Sequence, residues 1–247
     1  QDIPAGFVIV DDQEQFGHGP GPSRLASFNL LGQCGIFGLG EVCGKAECWR
    51  VHPQLQAELL RYRRRRRFDA AGYLEGKIVL LNDYMARTGL SCCIVGVSGG
   101  VDSAVTLGLV KRACDRAGTR VVGVLLPMFT PGATNQERAT ARGLEVGRAF
   151  GVECQIVDLS CAMEAMRTAV GEGSDWAAGQ LVSYLRTPAL YYLAALHAPA
   201  LLCGTTNRDE GSYIGFFGKA SDGMVDLQLI SDLHKSEVYA VAALVIG

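Results

Sequence analysis

The feature that most constrains the fold is a short apolar run that breaks into a Ser-Gly-Gly turn and continues as a helical pattern. The run spans residues 92–97, the turn is Ser98-Gly99-Gly100, and the helical pattern begins at Asp102. When a buried strand leads through a glycine turn into a helix, the exposed backbone N–H groups and the helix dipole favour a bound anion. The stretch therefore predicts an α/β chain with a phosphate-binding loop at its centre.

Asp102 indicates what kind of phosphate site this would be. The usual mononucleotide loop has a lysine after its second glycine, and here no lysine follows Gly100. A carboxylate among phosphates would repel them unless a divalent cation lay between, so Asp102 predicts Mg²⁺ as well as phosphate. The simpler alternative, in which Asp102 only caps the helix, stays open at this point.

The composition fits one large domain, or one domain with an appendage. The chain has 247 residues, of which 49% are hydrophobic, and its 23 basic and 25 acidic side chains nearly balance. No general attraction to polyanions follows from that charge. No apolar run is long enough to cross a bilayer, and the first residues lack a signal-peptide pattern. We therefore expect a cytoplasmic protein without a membrane partner.

Nine cysteines raise the question of disulfides or metal. Six lie in or beside predicted strands and helices, where a thiol behaves as a small hydrophobe. Cys34, Cys43 and Cys48 cluster in a glycine-rich stretch, but no Cys-x2-Cys pair is present. We expect reduced structural thiols, with a zinc site as the less favoured alternative.

Residues 1–66 are predicted to be an N-terminal extension of unknown function. The first 50 residues are rich in glycine and show little periodicity, and a helical pattern begins at Val51. That helix runs into five consecutive arginines, residues 63–67. Such a run could hold RNA, but no aromatic platform follows it and a solvated surface explains it more simply. Nucleic acid is therefore not an expected partner.

Strands and helices alternate through the remainder of the chain, residues 67–247. The predicted strands cover residues 92–97, 120–126, 152–159 and 200–203, with helices between them. This alternation predicts a doubly wound parallel sheet. Ligands of such sheets bind beyond the carboxyl ends of the strands, so the Ser98 loop and the loop that starts at Gly204 should face one site.

Two stretches carry a resemblance to known families. The sequence SGGVDSA at residues 98–104 resembles the pyrophosphate loop of the N-type ATP pyrophosphatases, which split ATP between its α and β phosphates and adenylylate a substrate. More selectively, GTTNRDE at 204–210, GFFGKASDGMVD at 215–226 and LHKSEV at 233–238 resemble NAD synthetases. The resemblance covers about residues 68–245. It implies an adenine nucleotide alpha hydrolase-like fold for the domain at 67–247.

The reaction implied by this resemblance is the ammonia-dependent synthesis of NAD by a homodimer. The carboxylate of deamido-NAD would attack the α-phosphate of ATP, and ammonia would then displace AMP. Some members carry a glutamine-hydrolysing domain, for which residues 1–66 are too short. Family members also continue past the last helix with a segment that covers the site. The domain is therefore expected to be incomplete at its C-terminus and, if it were the whole protein, to make NAD poorly.

Residue types and the resemblance together assign the site. Mg²⁺ would be held by Asp102 and Glu210, since it prefers oxygen ligands. Asp222 and Lys235 are the predicted catalytic residues: Lys235 would neutralise charge on the α-phosphate, and Asp222 would contact deamido-NAD or ammonia. The predicted nucleotide-binding residues are Ser98, Gly99, Gly100, Asp102, Ser103, Arg186, Thr205, Lys219 and Asp226. For Lys219 and Asp226, a surface ion pair remains an alternative.

Some positions depart from the family pattern. Leu125 stands where the family often has an arginine that contacts ATP, and the family's Asn-x3-Arg-x-Arg helix keeps only Arg186, with Gln180 and Tyr184 in the other places. Two other functions therefore stay open. One is a different adenylylating enzyme of this superfamily that acts on tRNA, and the other is a non-catalytic homologue that only binds adenine nucleotides.

Overall fold

The structure is a computed structural model, and it describes residues 53–128, 135–215, 218–221 and 223–246. The chain divides into an N-terminal unit that ends at Asp69 and a C-terminal unit that begins at Ala70. The described part of the first unit is residues 53–69, which include helix α1, Pro53–Arg66, with four of the five consecutive arginines. The cluster of Cys34, Cys43 and Cys48 lies outside the described residues.

The second unit alternates strands and helices as predicted. Its elements are α2 (Ala70–Thr88), β1 (Cys92–Gly96), α3 (Val101–Ala117), β2 (Arg120–Leu125), α4 (Asn135–Ala149), β3 (Cys154–Ile156), α5 (Ser160–Val170), α6 (Asp175–Leu196), β4 (Ala200–Gly204), a π-helical turn (Asp209–Ile214), β5 (Leu227–Gln228) and α7 (Lys235–Ile246). The five strands form one sheet in the order β3-β2-β1-β4-β5, and every pairing is parallel. The predicted parallel sheet is therefore confirmed.

The topology favours a ligand site beside β1. This strand pairs with β2 on one side and with β4 on the other, so the strand order reverses direction between β1 and β4. In open α/β sheets, that reversal opens a crevice at the carboxyl ends of the two strands. The buried apolar run Cys92–Val95 explains why β1 is central, because a strand covered on both faces has no polar side.

Helices cover both faces of the sheet. On one face α3 packs against β1 and β2 and is itself covered by α2, α4 and α7, so the residues from Val101 to Val110 are all buried. On the other face α6 packs on β1 and β4, over a core that includes Ile94, Val124 and Leu202. Helix α3 ends at Gly118, whose φ of 66° is the left-handed conformation expected of a glycine C-cap.

The structure differs from the sequence-based expectation at the edges of the sheet. Strand β3 has three residues, and the predicted span of 152–159 is wrong because only Cys154–Ile156 pairs with β2. Strand β5, two residues long, and the π-helical turn were not predicted. Edge strands this short leave little periodicity to detect.

The cysteines of the described region differ in burial, and Cys161 is exposed. All six are free, and Cys92, Cys93, Cys114 and Cys203 are buried. Burial raises the pKa of the Cys92 and Cys154 thiols, which keeps them protonated. None of the described helices is long and apolar enough to cross a membrane.

Candidate active site

The Ser98 loop connects β1 to α3 at the carboxyl end of the central strand. Gly99 has a φ of 85°, and a Cβ atom there would lie 2.6 Å from the carbonyl oxygen of Ala139 on α4. Only glycine meets both conditions. The N-cap of α3 is Gly100, which makes no side-chain cap hydrogen bond. Asp102 is therefore in the first turn of α3 and not at its N-cap, and its carboxylate accepts hydrogen bonds from Asn207 and Lys235.

Hydroxyl and amide groups of the loop form a compact ring. The Oγ atoms of Ser98 and Ser103 are 3.1 Å apart, and the Gly100 N–H donates to Ser98 Oγ at 3.2 Å. Ser103 Oγ in turn donates to the Gly100 carbonyl at 3.0 Å. These small donors lie at a helix N-terminus, where they can turn from each other towards phosphate oxygens.

Two carboxylates and one ammonium group meet beside this loop. Lys235 Nζ lies 2.6 Å from Asp102 Oδ2 and 3.1 Å from Glu210 Oε1. Asp102 is in the first turn of α3, Glu210 is in the π-helical turn that follows β4, and Lys235 is the first residue of α7. The predicted meeting of the two strand-end loops is confirmed. We call Asp102, Asn207, Glu210 and Lys235 the acid–lysine cluster.

The cluster holds more negative than positive charge. Burial raises the pKa of Glu210, the charge of Asp102 raises it further, and Lys235 only partly opposes them. Two carboxylates share one ammonium, so an additional cation would relieve their repulsion. In the described part of the chain, no three His, Cys, Asp or Glu side chains are grouped to hold a metal ion. Mg²⁺ needs fewer protein ligands than three, since it binds through one or two carboxylates together with substrate phosphates and water.

Asn207 is a cluster member that the sequence reasoning missed. It is 1% exposed, its Nδ2 donates to Asp102 Oδ1 at 2.8 Å, and its Oδ1 accepts the Glu210 N–H at 3.0 Å. One amide therefore contacts residues from both loops. The available signal was its place in a loop at a strand end, three residues before Glu210.

Asp209 fixes the start of the helix that carries Lys235. Its Oδ2 accepts the Lys235 backbone N–H at 2.7 Å, and its Oδ1 lies 2.7 Å from His234 Nδ1. Glu237 Oε2 accepts the His234 N–H at 3.0 Å, and the Tyr213 ring stacks on His234 with 5.7 Å between centroids. Carboxylates at a helix N-terminus stabilise it, so the Lys235 backbone is held firmly. The sequence reasoning missed Asp209 and His234 as well.

Arg142 is a cation close to the Ser98 loop. Its Cβ lies 3.1 Å from the point that a Cβ on Gly99 would occupy, which places the side-chain root against the loop. Its Nε is buried and has no hydrogen-bond partner among the described residues. Such a group favours a nearby anion.

A cavity of about 550 Å³ lies between α6 and the segment that follows the π-helical turn. We call it the α6 pocket. It is lined by Gln180, Ser183, Tyr184, Gly215, Gly218, Lys219, Ala220 and Ser221. Lys219 is exposed in it. Asp222, a predicted catalytic residue, lies outside the described residues.

The departures from the family pattern have clear structural settings. Leu125 is 1% exposed and packs on α4, where a Cβ on Gly143 would lie 2.6 Å from its Cδ2. It is therefore a core residue and contributes nothing polar to the site. Arg186 donates from Nε to the Leu126 carbonyl at 3.3 Å and from Nη2 towards Gln136 at 3.5 Å. It lies at the carboxyl end of β2, on the ligand edge of the sheet. Thr205, directly after β4, is half-buried at the same edge.

Asp226 is bound into the sheet. Its Oδ2 accepts the Leu202 N–H at 2.8 Å, its own N–H donates to the Leu202 carbonyl at 3.0 Å, and Tyr191 donates to its Oδ1 at 3.2 Å. These partners are neutral. Within the described ranges, Asp226 therefore forms hydrogen bonds in place of the surface ion pair that was the alternative. The carboxylate connects the segment before β5 to β4.

Comparison with known proteins agrees with this geometry. The family model described as NAD synthase matches residues 73–246. The NH(3)-dependent NAD(+) synthetase of Pyrobaculum aerophilum is 35% identical over 167 residues, which cover 66% of this chain and 59% of that protein. The Burkholderia mallei protein of the same name is 32% identical over 189 residues, 71% of this chain and 64% of that one. The chain thus spans about three-fifths of the length of these curated relatives.

Solved structures share the fold. An NMN synthetase from Francisella tularensis has a TM-score of 0.63 at 25% identity, over 72% of this chain and 71% of that chain. An NAD+ synthetase from Burkholderia pseudomallei has a TM-score of 0.61 at 27% identity, over 73% of this chain and 68% of that chain. The adenine nucleotide alpha hydrolase-like fold is therefore confirmed.

Proposed function

The chain belongs to the NAD synthase family, and from that premise we propose that it is a ligase that converts deamido-NAD to NAD with ammonia and ATP. The observation that carries the proposal is the meeting of Asp102, Glu210 and Lys235 beside the Ser98 loop. Two carboxylates and a cation next to a phosphate-binding loop suit the transfer of an adenylyl group better than simple nucleotide storage.

The Ser98 loop would bind the pyrophosphate that leaves ATP. The Ser98 and Ser103 hydroxyls and the Gly99 and Gly100 amides can donate to its oxygens from a helix N-terminus. Arg142, whose buried Nε has no hydrogen-bond partner in the described chain, would add a positive charge on the α4 side. This arrangement favours release of pyrophosphate rather than of a single phosphate.

Asp102 and Glu210 would hold Mg²⁺, which would supply positive charge to the phosphates of ATP. Their oxygens already converge on one cation, the Lys235 ammonium, so the donor set fits a cation with oxygen ligands. Lys235 can neutralise the charge that grows on the α-phosphate when the deamido-NAD carboxylate attacks it. Because Asp209 fixes the Lys235 backbone, only the side chain has to move.

The α6 pocket is the proposed place for the second substrate. Its Tyr184 ring, its Gln180 amide and the Lys219 ammonium can contact an aromatic ring, a polar edge and a negative group. Asp222 would act at this side, and Thr205, Arg186 and Asp226 would complete the nucleotide contacts. Ammonia would then attack the adenylate carbonyl, forming the amide bond as AMP leaves.

The direct test is to incubate the protein with ATP, Mg²⁺, ammonium and deamido-NAD. We expect NAD, AMP and pyrophosphate as the products, with AMP in excess of NAD where water reaches the adenylate. Labelled pyrophosphate should also exchange into ATP when deamido-NAD is present and ammonia is absent, because pyrophosphate leaves in the first step. ADP and inorganic phosphate as products would contradict the proposal.

The acid form of NMN is the second substrate candidate. A solved structure of the same fold is described as an NMN synthetase, and Tyr184 stands in the α6 pocket where the family pattern has an arginine. A pocket with fewer cations makes fewer contacts to a dinucleotide's phosphates. Parallel kcat/KM values for the two acids decide between them.

The same assay distinguishes the remaining alternatives. ATP consumption stimulated by RNA and not by either acid would indicate a tRNA-modifying enzyme. Binding of ATP without formation of AMP would indicate a nucleotide-binding homologue.

We also propose a homodimer. Helix α6 exposes large apolar side chains, among them Trp176 at 70%, Tyr192 at 68% and Leu196 at 62% exposure. The family resemblance implies a dimer, and these exposed side chains are candidates for contacts at its interface. Sedimentation equilibrium should give twice the mass of one chain, and Trp176→Glu should lower it towards that of a monomer.

A further inference from the structure

One buried amide connects the two carboxylates proposed to bind the cation. Asn207 lies between β4 and the π-helical turn and is 1% exposed. We propose that Asn207 is a positioning residue, which sets the Asp102 and Glu210 carboxylates for a divalent cation before substrate binds. This inference rests on the proposed function, because it concerns the same site.

The chemistry of its two partners fixes the orientation of the Asn207 amide. An ionised carboxylate can only accept, so the NH₂ group faces Asp102 Oδ1, at 2.8 Å. A backbone N–H can only donate, so the carbonyl oxygen faces Glu210 N, at 3.0 Å. Rotating the amide by half a turn would break both hydrogen bonds, and the buried groups would lose their partners.

The hydrogen bond from Asn207 to Asp102 determines which Asp102 oxygen can bind a cation. Asn207 occupies Oδ1, so Oδ2 faces the Lys235 ammonium at 2.6 Å. The carboxylate is thus presented through one oxygen. In metal sites, neighbouring hydrogen bonds of this kind orient the ligand and tune its affinity.

The second hydrogen bond fixes the position of the Glu210 backbone. Its N–H is held by the side chain of Asn207, and the π-helical turn that contains it starts one residue earlier, at Asp209. Turns of this kind are rare and frequently occur at functional sites. Since Asn207 follows β4 and Asp102 follows β1, the amide couples the two strand-end loops on which the carboxylates lie.

A merely structural asparagine would give a different result from a positioning one. Loss of a residue that only supports the fold lowers thermal stability and leaves the dependence on metal unchanged. Loss of a residue that orients a metal ligand typically costs about 10- to 100-fold in metal affinity or activity. The variants to compare are Asn207→Ala and the near-isosteric, uncharged Asn207→Leu, which keeps the approximate shape and removes the donor without adding a carboxylate.

The direct readout is Mn²⁺ binding, followed by electron paramagnetic resonance in the presence of the α,β-methylene analogue of ATP. Both variants should bind Mn²⁺ about 10- to 100-fold more weakly than wild type. In the amidation assay, the Mg²⁺ concentration for half-maximal rate should rise by a similar factor, and high Mg²⁺ should largely restore kcat. The matched control is Asn82→Ala on α2, a helix that supplies no residue to the cluster.

Unchanged Mn²⁺ affinity in a folded Asn207→Leu protein would overturn the inference, even if its melting temperature fell. Should Asn207→Ala fail to fold, the near-isosteric variant decides alone. Failure of the proposed function would give a different result. Wild type would bind Mn²⁺ with the ATP analogue and the Asn207 variants would lose that binding, but wild type would form no NAD.

Discussion

The acid–lysine cluster and the α6 pocket differ in how far their polar groups are already paired with other groups of the chain. In the cluster, Asp102, Asn207 and Glu210 are bound to one another or to Lys235 at distances between 2.6 and 3.1 Å. The pocket is an open cavity whose one lysine, Lys219, is exposed. The chain therefore organises the chemical groups in advance, whereas contacts in the pocket await the substrate.

The sheet explains this difference. The cluster forms where β1 and β4 end side by side, so strand pairing fixes the loops that carry its carboxylates. Polar groups that are desolvated there must find partners within the chain. The pocket lies on the surface of α6 and on a segment outside the sheet. Preorganised groups act mainly on kcat, and substrate contacts that are equal in the ground and transition states act on KM.

The largest expected effect is the loss of turnover when either carboxylate of the cluster is neutralised. Asp102→Asn and Glu210→Gln should each lower kcat by about 10²–10³-fold or more, the range for removing one preorganised electrostatic group. Each variant would lack one proposed metal ligand and should remain folded. The measurement is the rate of NAD formation at saturating Mg²⁺.

The control for this pair is Asp115→Asn, which removes an exposed carboxylate that pairs with Lys111 on the same helix. It should retain the wild-type rate. If Asp102→Asn or Glu210→Gln kept a kcat near that of wild type, the assignment of these residues to Mg²⁺ would be wrong. The cluster would then not differ from the α6 pocket in its effect on kcat.

The next largest effect is expected for substitution of Asp226. This residue could belong either to the sheet or to the α6 pocket. The family resemblance assigns it to substrate, but its carboxylate accepts the N–H of Leu202, which is fully buried. Asp226→Ala would leave that N–H without a partner, at a cost of about 1–3 kcal/mol in the free energy of unfolding. Urea denaturation measures this cost, with Asp115→Ala as the exposed control.

The kinetics of Asp226→Ala assign the residue to a region. Loss of stability with unchanged KM for deamido-NAD would make it part of the sheet. A raised KM with unchanged stability would place it with the α6 pocket.

The sequence predicts the central part of the fold and site, because its signals there are local. The apolar run before Ser98, the glycines of the turn and the Gly118 helix end each depend on neighbouring residues, and the structure has all three. The meeting of Asp102 with Glu210 and Lys235 also follows, since parallel strands end at the same edge.

The residues that hold the site together could not be predicted in this way. Asn207 contacts Asp102 across 105 positions of sequence, and the role of Asp209 depends on where α7 starts. Neither residue type indicates its partner without the three-dimensional fold. Strand β5 has two residues and shows no alternation, so its pairing with β4 depends entirely on tertiary structure.

In the α6 pocket, a smaller and different effect is expected. Lys219→Ala should raise KM for deamido-NAD about tenfold, the size of one charge-assisted contact, and should change kcat much less. Initial rates at varied deamido-NAD measure the two separately. Lys111→Ala, which removes a lysine of the Lys111–Asp115 pair, is the control. A fall in kcat without a change in KM would mean that Lys219 acts in the chemical step.

The smallest expected effect is a gain in stability from Glu210→Gln in the absence of Mg²⁺ and nucleotide. Burial first, and then the charge of Asp102, hold the pKa of Glu210 above its usual value, although Lys235 opposes them. A carboxyl group with a raised pKa contributes stability below its unfolded pKa and loses it as pH rises through the folded pKa. At neutral pH the ionised Glu210 is therefore a cost, which glutamine removes while it keeps the shape.

The measurement is the melting temperature of wild type and Glu210→Gln between pH 4 and pH 8 in a chelator. The variant should melt higher at pH 7, and the gap should close towards pH 4, where wild-type Glu210 is protonated. A change of 1 kcal/mol in the free energy of unfolding shifts the melting temperature of a domain of this size by about 2–4 °C. Glu75→Gln should show a small change of the opposite sign, because the exposed Arg116 lowers the pKa of Glu75. A variant that melts lower than wild type at pH 7 would mean that Lys235 outweighs burial, and the cluster would then be an ordinary ion pair without an excess of negative charge awaiting a cation.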